Sequence, residues 1–323
     1  MSLFLITGGC GFLGNHMYHS LKSIGIPVKV VDYLGYPAKN YVPPEDLIID
    51  DISSMTLPKG VSHIINFAAE THVDRSLTST SLLTSNIVGP VNLIKQFTGE
   101  LFLQVSTDEV YGESYGATED SPVAPRNPYS SSKAAAEILC MSYMRSHGVP
   151  VIITRGCNTY GPRQYPEKLI PFFLTRLLQG KPCPLYSPGT QKREWMSVED
   201  HCRGILTALR LGTPGEIYNI SSEYMLSNLE ISYMLASLVN VPSELISLIE
   251  NLRGGSHDKQ YKISSSKLRK LGWAPSGFSL ASTVKWYTDN REWWEAILRD
   301  PGYQDYLSKF YGSTLERTSV ESK

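Results

Sequence analysis

The chain has 323 residues, with 30 Lys and Arg against 31 Asp and Glu for a formal net charge of -1, and 41% of it is apolar. That length buries one large α/β core or two modest ones, and the even charge balance excludes the basic footprint of a general nucleic-acid or anionic-membrane binder. No apolar run approaches the roughly 20 residues that span a bilayer. The opening Met1-Ser2-Leu3-Phe4-Leu5-Ile6-Thr7 lacks a basic n-region and meets glycine too early for a secretory signal, so a cytoplasmic protein without nucleic-acid or membrane partners is expected. Cys10, Cys140, Cys157, Cys183 and Cys202 are scattered and the histidines dispersed, which predicts reduced thiols and no metal site.

In chain order, Leu3 to Thr7 reads as a strand and Phe12 to Ile24 as an amphipathic helix. Further strands are predicted at Val28 to Asp32, Leu47 to Asp50, His63 to Phe67, Leu101 to Val105 and Val151 to Arg155, with long helices over Leu77 to Phe97 and Ser131 to His147. This alternation predicts an α/β fold, a Rossmann-type doubly wound parallel sheet. From about Tyr160 the rhythm breaks at Pro162, Pro166, Pro171, Pro182, Pro184 and Pro188, a loop-rich stretch with two helices that suits a smaller C-terminal substrate-binding lobe. The predicted organisation is therefore a first domain over 1–160, a lobe over 161–312 interleaved with the last strands, and a polar tail over 313–323 that frays.

Thr7-Gly8-Gly9-Cys10-Gly11-Phe12-Leu13-Gly14 joins the first strand to the first helix. Gly8, Gly11 and Gly14 permit a tight turn, close approach of a pyrophosphate to the helix N-terminus and close helix–strand packing. Asp32 ends the second strand 18 residues after Gly14, placed to accept from both adenosine-ribose hydroxyls and to disfavour a 2′-phosphate, so NAD is the expected cofactor and 1–160 its domain. Tyr129 and Lys133 form Tyr-x-x-x-Lys on one helix face, where an ammonium stabilises a phenolate that accepts a proton from an alcohol. Taken singly, these features also fit an ordinary β–α turn, a strand-end carboxylate and a tyrosine packed beside a solvated lysine.

Together with Val105-Ser106-Thr107-Asp108-Glu109-Val110-Tyr111-Gly112, they make the chain resemble the extended short-chain dehydrogenase/reductase family, and within it the nucleoside-diphosphate-glucose 4,6-dehydratases. Ala68 to Ser76, Pro128 to Ala134, Pro166 to Pro171, Arg193-Glu194-Trp195 and Val198 to His201 carry the likeness as far as about Tyr287. The resemblance implies that Tyr129 with Lys133 drives oxidation at C4 of the glucosyl ring. It further implies that Glu109 removes the C5 proton, that Asp108 protonates the leaving C6 oxygen, that Thr107 holds O4, and that NAD is regenerated in each turnover. Asp108 must then be protonated at neutral pH, which burial or the like charge of Glu109 favours. The same likeness implies cofactor contacts at Phe12, Leu13, Asp51, Ile52 and Ala68, substrate contacts at Asn86, Asn158, Lys168, Arg193 and His257, and a homodimer through the two long helices. The chain departs from the pattern at Asn158-Thr159, where a double asparagine is usual, and at Arg253-Gly254-Gly255-Ser256-His257-Asp258, where an extra residue separates Arg from His. An epimerase or decarboxylase of the same superfamily, or a catalytically silent NAD-binding module, remains the alternative. The residues do not decide between dTDP-glucose and UDP-glucose.

Overall fold

The first half of the chain alternates strands buried on both faces with amphipathic helices, the pattern of a parallel sheet covered on two sides. The computed structural model describes residues 2–76, 79–250 and 258–320. Its strands are β1 (Leu3–Thr7), β2 (Val28–Asp32), β3 (Leu47–Ile49), β4 (Val61–Asn66), β5 (Leu101–Thr107), β6 (Val151–Gly156), β7 (Asn158–Tyr160), β8 (Cys183–Tyr186), β9 (Lys192–Ser197), β10 (Ile217–Ile220), β11 (Met225–Ser227) and β12 (Ile246–Ile249). The helices are α1 (Phe12–Ser23), α2 (Val73–Ser76), α3 (Ser81–Leu83), α4 (Gly89–Gln96), α5 (Pro128–His147), α6 (Leu169–Leu177), α7 (Val198–Leu211), α8 (Asn228–Val239), α9 (Ser266–Arg269), α10 (Ala281–Asp289), α11 (Arg291–Arg299) and α12 (Pro301–Val320).

Seven strands pair in parallel in the order β10-β6-β5-β4-β1-β2-β3. Alternate side chains feed two cores: Phe4, Ile6, Val30, Leu103 and Ile152 pack on one face, and Leu5, Val31, Phe102, Val151 and Ile153 on the other. The strand order reverses at β1, so the crevice between the ends of β1 and β4 is where an open α/β sheet binds ligands. A third core, with Tyr160, Phe172, Phe173, Trp195, Tyr287 and Trp294, builds the second lobe around the sheets β11-β9-β7 and β12-β8.

Local sequence explains the sharpest boundaries. Asn127 caps α5 by accepting from the Ser130 N–H at 2.8 Å in a capping box, Pro128 occupies the first turn, and Gly148 ends the helix at φ +70°. The expected single helix over Leu77 to Phe97 is instead interrupted: α3 runs into a π turn at Thr84–Val88 before α4. Pro90 lacks an N–H and its ring crowds the carbonyl four residues back, at Asn86, and the wider turn relieves both conflicts. The second half is also more helical than its prolines suggest, because Pro171 falls in the first turn of α6, where its missing N–H has no cost. Helix α12 continues through Val320, into the segment expected to fray. Its Tyr303 and Tyr306 are buried against Tyr165, Tyr36 and His72, tying the lobe to loops of the first half.

Candidate active site

The C-terminal ends of β1, β2, β4, β5 and β6 open into a cleft of about 470 Å³, a usual size for a small-molecule site. At one end the glycine turn is held by the Gly8 N–H donating to Val31 O at 2.8 Å and the Gly11 N–H donating to Gly8 O at 3.1 Å. Gly8 has φ +68°, and a Cβ on Gly14 would lie 2.4 Å from Gly8 O, so neither position admits a side chain. Gly11, at the N-cap of α1, supplies no side-chain cap, and the first turn carries no acid. The helix therefore presents free N–H groups and a positive dipole end to the cleft.

Asp32 lines the cleft beside this turn, buried, with Oδ2 accepting from the Cys10 N–H at 3.0 Å and Oδ1 from the Leu34 N–H at 2.9 Å. Burial raises its carboxyl above the ordinary range while these two bonds pull it down. Each oxygen keeps a lone pair for a ribose hydroxyl. Phe12, Leu13, Asp51, Ile52 and Ala68 line the same end, with the Ala68 N–H donating to Thr7 Oγ at 3.2 Å.

Thr107, Glu109, Tyr129 and Lys133 converge at the other end. Thr107 ends β5 and its hydroxyl donates to Asp108 Oδ1 at 3.2 Å while accepting from the Glu109 N–H at 3.3 Å. Asn127 donates to Glu109 Oε2 at 3.3 Å, so the cap of α5 also orients this acid. Asp108 is buried behind Thr107 and Glu109 and does not itself line the cleft; its Oδ2 has no partner. Burial, then Glu109, then Glu194 push its carboxyl well above the ordinary carboxylate range, which favours the protonated form. Strand register explains the third acid. Thr107 faces Gly156 and Asn158 faces Trp195, and extending both registers by one residue aligns Asp108, Cys157 and Glu194 across three strands.

The lysine differs from the expected arrangement. Lys133 Nζ donates to Val105 O at 2.7 Å, and burial lowers the amine to about 8 against the opposing pull of Glu137. Tyr129 is pushed up by burial and by Glu109 and Asp108, with only the Thr107 hydroxyl drawing it down. The chain alone thus keeps the phenol protonated, because the ammonium is turned to a carbonyl rather than to the phenolate.

Among the expected substrate contacts, Asn158, Lys168 and Arg193 line the cleft. Arg193 is buried, stacked 4.2 Å above the Tyr261 ring, and donates to the carbonyls of Lys192 at 2.7 Å and Asp258 at 3.0 Å. Lys168 Nζ donates to Thr71 O at 2.7 Å. Asn86 is a correction: it lies outside the cleft, with its oxygen accepting from the Glu70 N–H at 2.8 Å and its amide donating to Glu70 O and Ser132 Oγ. Its hydrogen-bonding capacity braces the π turn against α5. His257 and Arg253 lie outside the described residues. Sequence reasoning missed Tyr261, which an isolated aromatic among polar residues does not announce, and gave no site role to His201, which lines the cleft but entered only as the end of the Val198 to His201 match.

Residues 4–221 match the model of the NAD dependent epimerase/dehydratase family. The chain belongs to that family. A dTDP-glucose 4,6-dehydratase of Actinoplanes is 40% identical over 319 residues, covering 90% of this chain and 99% of the relative. A trifunctional UDP-glucose 4,6-dehydratase, 3,5-epimerase and reductase of Arabidopsis thaliana is 36% identical over 90% of this chain and 48% of that protein. A crystal structure of a Streptomyces venezuelae dTDP-glucose 4,6-dehydratase with NAD bound superposes with a TM-score of 0.86 at 37% identity, covering 91% of this chain and 99% of that one. The uncapped α1 N-terminus, the glycine cradle and the paired lone pairs of Asp32 fit NAD, the cofactor on which members of this family depend. Bound there, with the glycine turn at its pyrophosphate and Asp32 at its ribose, NAD would supply hydride-transfer chemistry. Among the described residues no helix is long and apolar enough to cross a membrane, and no three His, Cys, Asp or Glu side chains cluster as metal ligands.

Proposed function

We propose that the chain is an NAD-dependent nucleoside-diphosphate-glucose 4,6-dehydratase, converting dTDP-glucose or UDP-glucose to its 4-keto-6-deoxy derivative. The observation that carries this is a buried Asp108, its carboxyl pushed up by burial and by Glu109, directly behind a cleft-facing Glu109, beside Tyr129. Epimerisation at C4 needs one proton acceptor, whereas elimination across C5 and C6 needs a base and an acid together. In this reading Tyr129 takes the O4 proton, Glu109 removes the acidified C5 proton, and Asp108 supplies a proton to the departing C6 oxygen past the Thr107 hydroxyl it contacts. Arg193, Lys168 and Asn158 hold the nucleotide end. Arg193 retains N–H groups beyond the two engaged with carbonyls, and its stacking on Tyr261 fixes the guanidinium plane for a diphosphate.

We further place the protein in the cytoplasm, where its five free, buried cysteines stay reduced, and assign it a homodimer. Leu83, Val88 and Ile138 on α3, the π turn and α5 are 48%, 49% and 62% exposed, apolar surface suited to a four-helix contact. Incubation with dTDP-glucose and with UDP-glucose in parallel, followed by NMR for a new C6 methyl signal, tests the activity and names the base. Absence of the methyl product from both rejects the dehydratase reading.

A further inference from the structure

Helix α7 turns into the cleft wall a residue that none of the steps above uses. His201 is buried yet lines the cleft, with Nδ1 2.7 Å from Thr159 Oγ. The single hydroxyl hydrogen of Thr159 is directed to Cys157 O at 3.1 Å. With that hydrogen so directed, Nδ1 is assigned as the donor in the pair, which places the ring proton on Nδ1 and leaves Nε2 as an acceptor. Nε2 is buried without a partner. Burial lowers the imidazole to about 4, so no solvent proton satisfies that nitrogen at neutral pH. A buried acceptor lacking a donor needs a reason.

The surroundings indicate one. A Cβ at position 156 would lie 2.4 Å from Nε2, so glycine there makes room for the ring. Gly156 faces Thr107 across the sheet. On its other side α7 lies against α1, with Cys202 Sγ 4.0 Å from Leu13 O. His201 therefore stands between the pyrophosphate-binding turn and the Thr107–Tyr129 end, the stretch that a dinucleotide crosses to reach its reactive ring. The donors that NAD carries there are ribose hydroxyls, for which the Tyr129 oxygen is an acceptor at hand, and the carboxamide NH₂ of the nicotinamide.

We propose that His201 Nε2 accepts a hydrogen bond from the nicotinamide carboxamide and so fixes which face of the ring meets the sugar. His201 is thus a positioning residue held in one tautomer by Thr159. The inference rests on NAD being the cofactor, and not on the identity of the sugar nucleotide.

The test pairs an atom of the protein with an atom of the ligand. In His201→Asn the side-chain amide replaces Nδ1 toward Thr159 but nothing replaces Nε2, whereas His201→Gln puts an amide oxygen near Nε2. Dissociation constants are measured by calorimetry on protein freed of cofactor, using NAD and its 3-acetylpyridine analogue, in which a methyl replaces the carboxamide NH₂. Wild type should prefer NAD by about 10-fold, the scale of one net hydrogen bond. His201→Asn should bind both alike, and His201→Gln should recover part of the preference. An undiminished preference in His201→Asn, or none in wild type, overturns the proposal. Failure of wild type to bind either dinucleotide overturns it together with the cofactor placement, a distinguishable result. Should the variants fail to fold, ¹⁵N-histidine NMR of wild type decides: NAD should shift the Nε2 resonance of an Nδ1-protonated ring and the analogue should not, and equal shifts or none reject the contact.

Discussion

Lys133→Met should make the cofactor-free protein more stable while disabling it. Lys133 is buried, and burial lowers its amine from 10.5 to about 8 even with Glu137 pulling the other way. A shift of that size corresponds to about 3 kcal/mol of unfavourable charge burial at neutral pH. Methionine keeps an unbranched apolar stem in the same space. Val105 O, which loses the ammonium, still accepts from Gln104 Nε2 at 3.0 Å, so no carbonyl is orphaned. Allowing for the lost Lys133–Val105 hydrogen bond, a gain of about 1–3 kcal/mol is expected, readable as a rise of several degrees in Tm. The sign of the pH dependence gives a second check. Between about 8 and 10.5 the native state binds fewer protons than the unfolded state, so wild-type stability rises with pH across that window, and the variant should lack this rise. Urea unfolding of cofactor-free wild type and variant at pH 7, 8, 9 and 10 measures both. A variant less stable than wild type at pH 7, or one with the wild-type pH slope, refutes the idea that this amine is held at a cost for function.

Glu109→Gln should oxidise C4 and stall before elimination, so the absorbance of reduced cofactor should build up in a single turnover while overall rate falls by about 10²-fold or more; Tyr129→Phe should show no such absorbance, and identical traces from both would contradict the division of roles. Asp32→Ala should lower the NAD content of purified protein and, by leaving the Cys10 and Leu34 N–H groups without their acceptor, destabilise it by about 1–3 kcal/mol, checked by cofactor release assay and thermal melt. Light scattering at micromolar concentration should report a dimer, and Ile138→Glu should shift it to monomer.

The central sheet was legible because β1, β2, β5 and β6 carry short apolar runs whose length leaves little choice, and the glycine turn because a Cβ at Gly8 or Gly14 would lie under 3 Å from backbone atoms. What escaped is long-range. The interruption before α4 depends on Pro90 meeting a carbonyl inside an otherwise apolar helical period, which a moment over the window averages away. The turning of Lys133 to Val105, and the alignment of Glu194 with Asp108, depend on strand registers that no local pattern encodes. Asn86 was misplaced for the same reason, since an asparagine that reaches a ligand and one that knits two helices together look alike in one dimension.

The seventh strand of the sheet has a consequence for anyone who would treat the two halves as exchangeable modules. β10 comes from beyond position 216 and pairs in parallel with β6 through Ile217 to Ile220. A chain cut after residue 160 would end with Val151-Ile152-Ile153 as an open, apolar sheet edge, which is the geometry that recruits foreign strands. Transplanting a substrate lobe from a relative therefore means transplanting that strand's register as well, and chimeras should be joined within the loop before β10, not at the visual border between the halves.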